Sequence, residues 1–94
     1  MSVVVILTWE IHIPGCRSLK QKRMTVRSLK DRVRHRFNVS IAETAFQDVH
    51  DRGEITVALV TSDGRLAEST ADKLDRFVVE KGGCVITQSR RERV

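Results

Sequence analysis

The chain of 94 residues holds two cysteines, one proline, three phenylalanines, one tryptophan and no tyrosine. Two cysteines are too few for a disulfide scaffold, so a reducing cytoplasm is the expected setting. No apolar run approaches the roughly 18 residues that span a bilayer, and the N-terminus has neither a basic leader region nor a small-residue cleavage site, so no membrane partner is expected. So few residues favour one domain over residues 1–94, because two halves would each fall near the lower limit for an independent core. Hydrophobic residues make up 40% of the chain and fall in periodic blocks, which excludes disorder. Little room remains for a large buried active site, which counts against an enzyme. The scarcity of aromatics also excludes recognition in the manner of an RNA-recognition motif, which stacks bases on aromatic side chains across an open sheet. Trp9 shares its strand face with Leu7 and Ile11 and reads as core.

Acidic residues are nearly missing from one segment. Arg17 to Arg36 holds nine basic residues and one acid, Asp31, for a net +8, whereas the rest of the chain carries a net −3. The chain is a mildly acidic body with one strongly basic element.

Residues 3–13 begin as a continuous apolar run and then alternate, which suits a central strand stopped by Pro14-Gly15. Ser18 is the N-cap of a helix through Phe37, with Leu19, Val26, Leu29, Val33 and Phe37 as its core stripe. Val39 to Phe46 reads as an edge strand, Gln47 to Gly53 as a turn, and Ile55 to Val60 as a β-branched strand closed by Ser62-Asp63-Gly64. A second amphipathic helix carries Leu66, Ala67, Thr70, Ala71, Leu74, Phe77 and Val78, with Gly82-Gly83 as its C-terminal signal. Cys84 to Gln88 is the last strand, followed by a basic tail, Arg90 to Arg93. The order β-α-β-β-α-β is the split-βαβ, ferredoxin-like arrangement of the α+β class: a four-stranded antiparallel sheet with two helices on one face.

The stretch Glu10-Ile11-His12-Ile13-Pro14-Gly15-Cys16-Arg17-Ser18-Leu19-Lys20-Gln21-Lys22-Arg23 resembles the signature of the YlxP-like family, small bacterial proteins of undefined activity. The agreement continues through Ser28 to Arg32, Phe37 to Glu43 and Gln47-Asp48, and so covers nearly the whole chain. The resemblance implies a ferredoxin-like fold and a cytoplasmic protein. It also implies an association with translation, because the family is often encoded beside translation-initiation and ribosome-maturation factors. It supplies no catalytic residues.

On the first helix Lys20, Arg23, Arg27, Lys30 and Arg34 fall within a sector of about 80°, on one flank of the apolar stripe. Such a row can follow a phosphate backbone, each cation displacing a condensed counterion. Glu68, Asp72 and Asp75 of the second helix are expected to neutralise the row in part, but three or four acids cannot balance nine basic residues. Arg17, Ser18 and Lys22 organise the helix start, where the turn Pro14 to Ser18 offers backbone N–H groups to one phosphate. The turn lacks the second glycine and the GK[ST] ending of a P-loop, so nucleotide hydrolysis is unsupported.

Other constellations are weaker. The inferred topology brings His12, Cys16, His50, Glu54 and Cys84 to one end of the sheet, but no metal-ligand spacing appears among them, and no third group orients a Cys-His pair. Scattered structural residues are the better reading, so neither a metal nor any other cofactor is expected. Glu10 and His12 fall on the open sheet face, with Glu43 beside them on the neighbouring edge, as solvent-exposed or dimer-contact residues. Cys84 reads as a small core residue. The expected function is a non-enzymatic module binding RNA or a ribosomal subunit through Arg17, Ser18, Lys20, Lys22, Arg23, Arg27, Lys30 and Arg34, with the basic tail as a second contact. The alternative is a protein-interaction or homodimeric module using the open sheet face or edge strand, and a small enzyme acting on an anionic substrate stands third.

Overall fold

The computed structural model describes residues 1–94. The elements are β1 (Val3–His12), α1 (Leu19–Arg36), β2 (Ser40–Ala45), β3 (Arg52–Thr61), α2 (Gly64–Lys81) and β4 (Val85–Arg93). The strands lie in the order β2-β3-β1-β4, every neighbouring pair antiparallel. Both helices cover one face, which makes the fold the expected ferredoxin-like α+β arrangement.

The alternation of β1 decides which face the helices cover. Val3, Val5, Leu7, Trp9 and Ile11 are at most 5% exposed and pack into one cluster with Val26, Leu29 and Val33 of α1 and Ala67, Ala71, Leu74 and Val78 of α2. Trp9 is fully buried, and its indole Nε1 donates to the Asp75 carboxylate at 2.7 Å. That bond satisfies the one polar atom such a core site would otherwise orphan.

Ser18 caps α1, its Oγ accepting from the Gln21 amide at 3.1 Å, while Gln21 Oε1 accepts from the Arg17 amide at 3.0 Å. This is a capping box moved one residue outward. Asp63 caps α2 in the same manner, accepting from the Arg65 amide at 2.9 Å. At the other end of α2 a Cβ on Gly82 would lie 2.5 Å from the Val78 carbonyl, and Gly83 takes φ +68°, so the glycine pair is required sterically.

Two elements outrun their sequence reading. Strand β3 starts at Arg52, three residues early, and leaves a shorter turn after β2. Strand β4 continues through the four residues read as a tail, pairing with β1 as far as Arg93 opposite Val5. An edge strand needs only one partner for its ladder, so arginines pointing to its two sides do not end it.

Candidate nucleic-acid interface

Lys22, Val26, Leu29 and Val33 form the buried stripe of α1. About 70–150° around the helix lies the basic row. Lys20, Arg23, Arg27 and Arg34 are exposed and Lys30 is half-buried. The row overhangs the β2 edge of the sheet, because Arg34 Nη2 donates to the Ile41 carbonyl of β2 at 3.2 Å. Arg32 and Arg36 point the other way: Arg32 donates to the Lys81 carbonyl of α2 at 2.8 Å, and Arg36 lies over the Phe77 ring. Within the row only Arg34 has an acidic neighbour, Asp31 at 3.7 Å. Lys20, Arg23, Arg27 and Lys30 pair with no carboxylate.

The expected neutralisation by α2 does not occur. Glu68, Asp72 and Asp75 instead hold Arg91 of β4 at 2.9, 3.1 and 2.8 Å, on the far edge of the sheet. Burial works against the charged Arg91 guanidinium, but its hydrogen bonds to Glu68, Asp72 and Asp75, with the charge of Asp75, outweigh it and raise its pKa. The same contacts correct the reading of the tail: Arg91 is consumed inside the fold.

Lys22 is also corrected. It is 1% exposed and cannot touch a phosphate. Its ammonium pairs with Glu43 Oε2 at 2.8 Å and donates to the Phe46 carbonyl. Glu43 therefore lies under α1, on the same side as Ile41, and not on the open face. Lys22 clamps α1 to β2 and to the chain leaving it, where Phe46 takes φ 63° with the Arg52 guanidinium 4.1 Å from its ring centroid. A bulky residue in that left-handed region is uncommon and needs surroundings that hold it.

At the helix start Arg17 is exposed and Ser18 serves as the cap. The turn's amides are partly used: Cys16 donates to the Ile13 carbonyl at 3.3 Å and Arg17 to Gln21 Oε1, while just inside the helix the amides of Gln21 and Lys22 are bonded to Ser18 Oγ and the Ser18 carbonyl. It is a capped turn more than an anion cradle.

The end-of-sheet residues do not assemble. No three His, Cys, Asp or Glu side chains come together as a ligand set. Glu54 accepts from the Thr44 hydroxyl at 2.6 Å, His12 and His50 are exposed, and the buried Cys16 thiol donates to the Ser18 carbonyl at 3.5 Å. Burial pushes the half-buried Cys84 thiol up, away from the thiolate a nucleophile needs. On the open face Glu10 is tied to Arg52, whose Nε donates to it at 2.6 Å.

Comparison with known proteins adds the family. Residues 4–91 match the family described as "Protein of unknown function (DUF503)". The chain belongs to the DUF503 family. Among curated relatives, "Uncharacterized protein YlxP" of Bacillus subtilis (strain 168) is 34% identical over 61 residues, which are 65% of this chain and 66% of that protein. The YlxP resemblance read from the segment Glu10 to Arg23 is thus borne out. Among solved structures, the de novo designed protein Foldit4 superimposes with a TM-score of 0.59 at 12% identity, covering 100% of this chain and 97% of its own, a likeness of fold alone. A second designed protein, Ferredog-Diesel, is similar at a TM-score of 0.45 and 14% identity, covering 98% of this chain and 84% of its own. No helix of this DUF503 member is long and apolar enough to cross a membrane.

Proposed function

We propose that this protein is a non-enzymatic module that binds structured RNA, with a ribosomal particle as the expected context, through the outer flank of α1. The observation that carries this reading is the row Lys20, Arg23, Arg27 and Lys30, four cations with no internal carboxylate. Arg17 and Arg34 extend the row at its two ends. Rows of unpaired cations on a rigid helix neutralise phosphates and release the counterions condensed on them. Four such contacts give a slope of log affinity against log salt of about −4, so a fourfold rise in salt weakens binding on the order of a hundredfold. Base identity matters little in this mode, because phosphate contacts position without reading sequence.

The test is fluorescence anisotropy with a labelled RNA hairpin across a salt series. Lys20→Gln, Arg23→Gln and Arg27→Gln together are expected to flatten the slope by about 3 and weaken binding at low salt. An unchanged slope and affinity would sink the proposal.

A second reading is favoured by one feature of the open sheet face. Val4, Ile6, Ala58 and Val60 form an apolar patch there, with Val60 65% exposed. This patch suits contact between two copies of the chain. Light scattering after size exclusion, with Val60→Lys as the control, should find a dimer that the variant dissociates. A monomer at all concentrations removes this reading.

A further inference from the structure

A groove of about 300 Å³ runs between the last turn of α1 and the C-terminal half of α2. Four cations line it, Arg36 from α1 with Lys73, Arg76 and Lys81 from α2, against a single carboxylate, Glu80. None of the five forms an ion pair. The C-terminal ends of α1 and α2 each add roughly half a negative charge, which leaves the groove at about +2. Arg32 caps the Lys81 carbonyl at 2.8 Å, removing one acceptor that would repel an anion there.

The wall of the groove is aromatic. Phe37 and Phe77 meet edge to face, with centroids 5.6 Å apart at 84°, and both are only half-buried. The Arg36 guanidinium lies 5.6 Å from the Phe77 centroid. Cations beside aromatic rings and a guanidinium plane are the chemistry that holds unpaired nucleotides, with the backbone on the charges and the base on a flat surface. The volume is at the small end for a ligand site and suits one nucleotide better than a strand.

We infer that this groove seats a single unpaired nucleotide of the bound RNA, its phosphate among Arg36, Lys73 and Arg76 and its base against the phenyl and guanidinium surfaces. The inference rests on the RNA reading above and adds selectivity to it. Paired stretches meet the row over β2, while a bulged nucleotide enters the groove on the opposite flank of α1.

The experiment compares two RNA hairpins that differ by one bulged nucleotide, using anisotropy on the full chain. Wild type should prefer the bulged hairpin by about tenfold. Lys73→Gln with Arg76→Gln, both exposed positions, should abolish that preference while the fully paired hairpin loses far less. Phe77→Leu, which keeps the groove's charge, should reduce the preference without changing the salt slope. No preference in wild type, or a preference that survives all three substitutions, overturns the groove. The row variant separates the two ideas: if Lys20→Gln, Arg23→Gln and Arg27→Gln weaken both hairpins equally and no bulge preference exists, only the groove is wrong. If wild type binds neither hairpin, both readings fall.

Discussion

Lys22 precedes Val26, Leu29 and Val33 by four, seven and eleven residues, so helical spacing alone puts its Cβ in the core stripe. Its residue type argues for solvent, against its spacing. The fold resolves the conflict by supplying Glu43 and the Phe46 carbonyl to the ammonium. Both partners lie more than twenty positions away, so no local pattern announces them. Trp9 was legible for the opposite reason: its place in the alternation and its apolar bulk agree. Lys22→Met keeps the apolar stem but strands Glu43, whose side chain is 18% exposed, beside a carbonyl oxygen. A loss of about 3 kcal/mol in urea unfolding is expected, most of it recovered in Lys22→Met with Glu43→Leu. If the single variant unfolds at the wild-type urea concentration, the clamp has no energetic weight.

At the scale of elements, β4 and α2 show where patterning stops being informative. The apolar periodicities located both helices and all four strands, because each buries one face and the spacing records it. The extent of β4 was hidden, since an edge strand with arginines looks like a tail until its partner is known. The same ignorance misassigned Glu68, Asp72 and Asp75, which face β4 because α2 lies on the β1 side of the layer. Arg91 draws three carboxylates together, and Asp75 also accepts from Trp9. Arg91→Met would leave those acids repelling one another along α2. Thermal unfolding is expected to show a loss of about 1–2 kcal/mol at low salt, shrinking at high salt as the repulsion is screened. A loss that is equal at both salt concentrations would mean the arginine acts only by packing.

Over the whole molecule, charge is sorted by sheet edge. The β4 edge neutralises Arg91 with three acids, while the β2 edge carries the unpaired cations of α1, so the net charge of +5 is spread unevenly and orients approach to a polyanion. The sequence made the basic run plain. It could not tell which cations are spent within the fold, which depends on strand order and on the side each helix presents. This sorting works against stability, because Arg23 with Arg27 and Lys30 with Arg34 are like-charge neighbours one turn apart, each pair costing about 0.2–0.5 kcal/mol. A surface retained for binding should therefore trade affinity against stability when it is neutralised. Arg23→Gln and Arg27→Gln together are expected to raise stability at low salt by roughly 0.5 kcal/mol, with the gain vanishing at high salt, while RNA affinity falls. Chemical denaturation and anisotropy on the same preparations would measure both sides of the exchange. If the pair of substitutions lowers stability instead, these arginines are structural and the case for an RNA-facing row loses its physical basis.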